Sequence, residues 1–287
     1  MVSRAIQVAD RGVMGRATVG DVELEYEMKG SGEPVLLIPP GPVAGAFLPL
    51  LSEQALVDRY RLIRYHRRGQ AGSTPAAPPM SFADHASDAA SLLDELGVRR
   101  AHVAGHSTGG AIALQLALDH PEVVQTLALL EPSLFAVPSA EAFLKKAEPS
   151  LQAYGAGDRE GAAAGFMSVV SGLGWETCRA VIDERVPGGA DRVLGEADFF
   201  FAIDLPALNA WTFGPEQAAS ISQPVLSVLG TKSERLFVEG AELLRSWFPQ
   251  IDELTLEGAG HLLHMERPAA AAEGLAEFLG RHPCAVG

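Results

Sequence analysis

The segment Gly105-His106-Ser107-Thr108-Gly109-Gly110 constrains this chain more than any other. It follows the short apolar run Ala101-His102-Val103-Ala104 and opens a helical run from Ala111 to Leu118. A G-x-S-x-G between a strand and a helix makes a turn so tight that its serine is held in a strained backbone conformation. Small residues on either side let the strand and helix close around it. Ser107 is therefore expected at the top of a sheet and at a helix N-terminus, with its Oγ presented as a candidate nucleophile. An ordinary tight turn is the plainer reading, and the flanking strand and helix weigh against it.

The surrounding chain alternates strands and helices. Val22 to Tyr26 alternates strictly after the turn Gly20-Asp21, which predicts a hairpin over 17–29 and leaves 1–16 as an irregular arm. Val35-Leu36-Leu37-Ile38 is an unbroken apolar run of the buried parallel-strand kind, and Tyr60–Tyr65 is the next strand. Ser81 caps a helix that runs to Leu96 and stops at Gly97. The strand into Ser107 follows, then a helix to about His120, then a buried strand from Val124 to Leu130. Residues 133–222 hold no convincing strand but four helical segments, near 139–153, 158–171, 175–185 and 190–211. The alternation resumes with a strand at 224–229, a helix near 235–247, a strand at 252–256 and a helix near 268–280.

Strands with helical crossovers predict an α/β fold with a doubly wound, mostly parallel sheet. The core is expected over 17–132 and 223–287, with 133–222 inserted after a strand's C-terminal end. Ligands bind there in such sheets, so the insertion is read as a helical lid.

A net charge of −14 argues against nucleic acid and against an anionic membrane surface. It leaves a small-molecule substrate as the expected partner and the oligomeric state open. The first ten residues lack a continuous apolar stretch, no run approaches a membrane span, and two cysteines make no disulfide framework. A cytoplasmic enzyme is the expectation, with Cys178 a buried small apolar residue.

Four motifs in order make the chain resemble the α/β-hydrolase fold family over nearly its whole length beyond residue 16. They are the turn at 105–110; Gly258-Ala259-Gly260-His261, after the last strand; Val35 to Pro42, in the place of a strand followed by His-Gly-x-Pro; and Tyr65 to Ser73, similar to the family's Asp-x-Arg-Gly loop with a later Ser. The resemblance implies an eight-stranded sheet, Ser107 as nucleophile and His261 as general base and later acid. His264 competes with His261 and is expected to pack beneath it or line the pocket. His106 is expected to pack inside the turn. The histidines at 66, 85, 102, 120 and 282 show no metal-ligand spacing, and neither a metal nor an organic cofactor is expected.

The acid departs from the family's commonest pattern. Ser233 stands where an Asp is usual, and Glu234 is one residue off register. Some relatives carry the acid at the end of the strand after the nucleophile's helix, which is Glu131 here. A carboxylate ending a buried strand is costly unless paired, and His261 Nδ1 would pair it. Glu131 is favoured, with Glu234 the alternative; a cap or arginine partner is the plainer role for Glu131. For the oxyanion hole, aligning Pro39-Pro40-Gly41-Pro42 on His-Gly-x-Pro makes Gly41 one backbone donor, with Thr108 the other. A shift by one residue would place Pro42 there, which has no N–H.

The insertion carries Phe166, Met167, Trp175, Phe199, Phe200, Phe201, Trp211 and Phe213, which suggests an apolar acyl or ring-bearing substrate. The expected activity is hydrolysis of an ester or lactone through an acyl-enzyme. Carbon–carbon bond hydrolysis or other non-ester chemistry, a slow-turnover ligand-binding signalling protein, and a catalytically dead scaffold stay open.

Overall fold

The computed structural model describes residues 13–284. Its strands are β1 (Val13–Val19), β2 (Val22–Lys29), β3 (Glu33–Ile38), β4 (Tyr60–Tyr65), β5 (Ala101–His106), β6 (Val124–Leu130), β7 (Val225–Gly230) and β8 (Asp252–Leu256). They form one eight-stranded sheet in the order β1-β2-β4-β3-β5-β6-β7-β8. β2 runs antiparallel to β1 and to β4, and every other pairing is parallel.

Residue alternation divides the core into two layers. Leu36 and Ile38 of β3 face the helices Phe82–Glu95 and Thr108–Asp119. Val35 and Leu37 face the opposite layer, where the helix Pro268–Gly280 covers the sheet with Leu275, Phe278 and Leu279. A strand buried on both sides needs apolar side chains at every position, which is why these strands read as unbroken apolar runs. Ser81 caps the helix at 82–95 reciprocally with Asp84, as its position in the sequence predicts.

The strand order reverses around β3, whose neighbours are β4 on one side and β5 on the other. The crevice at such a switch point lies beyond the strands' C-terminal ends. Gly41 follows β3 and Ser107 follows β5, and Ile38 pairs with Gly105 across the two strands. The sheet topology therefore brings these two distant segments side by side.

Residues 131–224 contain no strand, and their helices include Ala140–Gly155, Arg159–Ser171 and Trp175–Arg185. Phe143, Met167, Val170 and the buried Cys178 pack with Val43, Phe237, Leu262 and Met265 over the C-terminal side of the sheet. Among the described residues no helix is long and apolar enough to cross a membrane.

Two expectations need correction. The arm expected over 1–16 lies outside the described residues up to residue 12, but residues 13–16 are strand, so the hairpin starts at Val13 and not at 17. The signal is faint because β1 is an edge strand whose inward side chains are small: Ala17 and Val19 are buried, while Met14 and Arg16 are exposed. The helical segment expected over 190–211 is also broken. It comprises Gly189–Gly195, Ala197–Phe199, a π-helical turn at Phe200–Asp204 and Leu205–Ala210. Pro206 has no N–H to return to Ala202, and the Leu205 N–H bonds instead to the Phe200 carbonyl, five residues back.

Candidate active site

Ser107 sits between β5 and the helix Thr108–Asp119 at φ 55° and ψ −120°. A β-carbon on Gly105 would meet the Gly109 carbonyl, and one on Gly109 would meet the carbonyl of Ile38. Strand, turn and helix close this tightly only with glycine at both positions. The Ser107 N–H donates to the Leu130 carbonyl at 3.0 Å, and the Ser133 N–H donates to the Ser107 carbonyl at 3.0 Å. Ser107 Oγ lies 3.3 Å from Ser133 Oγ.

Glu131 directly follows β6 and is the second strained residue here, with φ 44°. Such conformations cost about 1–3 kcal/mol and persist where the surroundings over-determine them. His261 Nδ1 lies 2.7 Å from Glu131 Oε2. Glu131 Oε1 accepts from the Gly230 N–H at 2.8 Å and from the Ser233 hydroxyl. Both groups are buried, which raises Glu131 above the usual carboxylate range and lowers His261 below the usual imidazole range. The Ser233 and Gly230 donors work against the first shift, and both donate to Oε1, which favours the carboxylate as the acceptor facing His261. Neutral His261 then donates through Nδ1 and keeps a lone pair on Nε2.

Ser233, in the position where an acid is usual, thus donates to the carboxyl group of Glu131 on the other strand. Glu234 is not brought to His261: its Oε2 accepts from Lys146 Nζ at 2.7 Å, near the surface. The Phe237 ring lies flat on His261, with centroids 3.8 Å apart and planes within 11°. His106 Nε2 bonds to the His261 carbonyl at 2.9 Å, as a residue packed inside the turn. His264 packs edge-on to His106 and stacks on Phe47, each at 4.7 Å, so it lies beneath the site.

The loop after β3 is held from behind. Gln70 Nε2 donates to the Pro40 carbonyl at 3.0 Å and to that of Gly41, and Arg67 Nη2 donates to the Pro40 carbonyl at 3.1 Å. In a trans peptide the Gly41 N–H is antiparallel to the Pro40 C=O, so it faces away from Arg67 and Gln70. Arg67 also grips Asp204 with two bonds, of 2.7 and 2.9 Å, and both side chains are fully buried. Its Nη2 is 3.5 Å from Thr108 Oγ1. The π-helical turn thus delivers a carboxylate to the back of the loop that carries Gly41.

Ser107, Ser133, His261, Gly41 and Thr108 line one cavity of about 760 Å³, measured with its open mouth. Its other walls are apolar, including Phe135, Phe143, Phe166, Met167, Phe200 and Phe237. Trp175, Phe199, Phe201, Trp211 and Phe213 are not among the lining residues: Phe199 lies against the Arg67 guanidinium, and Trp211 stacks with Phe213. Sequence reasoning missed Ser133, Phe237, Gln70, Arg67 and Asp204. Only the doubled arginine in His66-Arg67-Arg68-Gly69 offered a hint, since Arg68 alone satisfies the loop motif and pairs with Asp88.

Enclosed histidines make the fold acid-sensitive. Burial holds His85, His106 and His264 well below the ordinary imidazole value. The unfolded chain protonates them below about pH 6.5 and the folded chain does not. Their stabilisation is therefore complete above that pH and is lost on acidification, by up to about 1.4 kcal/mol per pH unit for each. Glu196 and Glu131, which burial pushes up to about 7 and about 8, have the opposite sign, and His261, lowered to about 3, acts in the same direction as the three histidines. Urea denaturation is expected to give an unfolding free energy lower at pH 5.5 than at pH 7.5, by on the order of 1 kcal/mol; a higher value at pH 5.5 would contradict it.

Comparison with known proteins agrees with this architecture. A protein from Azorhizobium caulinodans named carbamate hydrolase RutD is 41% identical over 112 residues, 39% of this chain and 42% of that protein. Its namesake from Caulobacter vibrioides is 37% identical over 132 residues, 41% of this chain and 45% of that protein. The chain thus spans less than half the length of these relatives. An esterase from Thermogutta terrifontis superposes with a TM-score of 0.77 at 22% identity, over 95% of this chain and all of that one. An enzyme described as degrading N-acyl homoserine lactones superposes with a TM-score of 0.72 at 25% identity, over 92% of this chain and all of that one. Residues 34–268 match the family model of the alpha/beta hydrolase fold, and the chain belongs to that family.

Proposed function

We propose that this chain is a serine hydrolase that cleaves an ester or lactone of a small, largely apolar molecule through an acyl-enzyme. The observation that carries the reading is the 2.7 Å contact between His261 Nδ1 and Glu131 at the cavity that Ser107 lines. Ser107 Oγ attacks the carbonyl carbon while His261 Nε2 takes its proton, and Glu131 stabilises the imidazolium that forms. The Gly41 and Thr108 N–H groups receive the developing oxyanion. His261 returns the proton to the leaving oxygen, and the acyl group stays on Ser107. Water attacks that ester, with His261 again as base, which releases the acid and restores the serine. Residues 133–222 serve as the lid, whose aromatic side chains exclude water and favour apolar acyl groups.

A second reading, hydrolysis of a carbamate, is supported by the likeness to the proteins named carbamate hydrolase, which covers about two fifths of the chain. Matched esters, lactones and carbamates separate the two by kcat/KM. A fluorophosphonate is expected to label Ser107, and Ser107→Ala to lower kcat by about 10⁶. Tight ligand binding with almost no turnover, in a protein that resists the label, would overturn the hydrolase reading.

A further inference from the structure

Glu33, His102 and Cys284 meet at the opposite end of the sheet from Ser107. Glu33 opens β3, His102 is the second residue of β5, and Cys284 lies in the C-terminal segment that returns beneath them. Ser107 lies five positions beyond His102, roughly 16 Å along a strand.

We propose that these three side chains form a metal site of the zinc class, which ties the C-terminal segment to the sheet. Three observations support it. One ligand atom from each residue falls within 4.8 Å of the others. His102 Nε2 is 3.2 Å from Glu33 Oε2 and 3.8 Å from Cys284 Sγ. Tetrahedral zinc, with Zn–N near 2.05 Å and Zn–S near 2.3 Å, sets N···O and N···S edges of about 3.3 and 3.6 Å. The ligand atoms already stand close to those edges.

The second observation is the ring's orientation. His102 is fully buried, and its Nδ1 lies 2.9 Å from Thr126 Oγ1. A ligating imidazole characteristically spends its other nitrogen on such an outer partner, which fixes the ring and here turns Nε2 toward Glu33 and Cys284. The third is chemical. A carboxylate, an imidazole nitrogen and a sulfur converge; the basic groups nearby are engaged elsewhere, Arg100 with the Val124 carbonyl at 3.1 Å and His282 with Asp252 at 3.9 Å, and the mixed S, N and O set selects zinc over magnesium or calcium. A thiolate and a carboxylate also neutralise a divalent ion; binding releases the thiol proton to solvent as the S–Zn bond forms. Sequence spacing conceals the set because its members lie at 33, 102 and 284.

The test uses the full chain, stripped with a chelator and titrated with Co(II), then with Zn(II). Uptake of one equivalent is expected, with the intense near-ultraviolet absorption of a cobalt–thiolate bond and the visible bands of a four-coordinate ion. Cys284→Ser should abolish the thiolate band, Cys178→Ser should retain it, and Thr126→Ala should weaken affinity about 10–100-fold. Zn(II) should raise the melting temperature of the wild type and of Ser107→Ala, but not of Cys284→Ser. Hydrolytic activity reports whether each variant other than Ser107→Ala is folded. A wild type without the thiolate band, or a folded Cys284→Ser that keeps it, would overturn the proposal.

Discussion

Glu131→Gln is expected to lower kcat by about 10⁴ and to leave KM within a few-fold. The amide retains the volume but removes the charge that stabilises the imidazolium. It also presents an N–H₂ group where His261 Nδ1, Gly230 and Ser233 each require an acceptor. One of its two positions must then face a donor, and His261 is pushed toward the tautomer with its proton on Nε2, which cannot take one from Ser107. Glu234→Gln removes only a near-surface contact with Lys146 and is expected to keep kcat within about twofold. Stopped-flow acylation of the two variants separates the candidates. A loss confined to Glu234→Gln would reassign the acid, and Ser233→Ala should fall between them because it removes one donor.

Asp204→Ala is expected to reduce unfolding free energy by about 3–5 kcal/mol, the usual cost of stranding a buried charge. Arg67 would keep its Pro40 carbonyl and its contact with His85 at 3.3 Å, but would lose both of its hydrogen bonds to a carboxylate. The double replacement Arg67→Met with Asp204→Leu removes both charges and should lose much less stability than Asp204→Ala alone. Additive losses in the denaturation cycle would show that the pair does not act as a unit. Because Arg67 also fixes the peptide that carries the Gly41 N–H, Arg67→Met should lower kcat more than it raises KM. The ion pair would then connect the inserted helices to the oxyanion loop.

The parts of the site legible in the sequence are those fixed by local backbone sterics. Ser107 could be read because a turn this tight demands Gly105 and Gly109, and both stand in the sequence. Gly41 was expected near Ser107 from the alignment of Pro39-Pro40-Gly41-Pro42 on His-Gly-x-Pro, and it lines the same cavity. His264 was expected either beneath His261 or in the pocket wall, and it packs on Phe47 and His106 away from the cavity lining. The start of β1 was illegible because its buried face is made of small residues. The break at Phe200–Asp204 was illegible because apolar periodicity continues through a π-helical turn and only Pro206 marks it.

The sequence by itself determined the strand–helix alternation, the tight turn that presents Ser107 and the pair of carboxylates that could meet His261. Each follows from rules that act within a few residues. Only the tertiary structure decided which carboxylate meets His261. Glu131 and His261 lie 130 residues apart and approach because β6, β7 and β8 are neighbours, which sets Gly230 and Ser233 around the same carboxyl group. It also decided that Asp204, from the inserted helices, neutralises Arg67 behind the Gly41 loop. Such pairings depend on the packing of the whole sheet and on where burial makes an unpaired charge costly, and no local pattern encodes that sum.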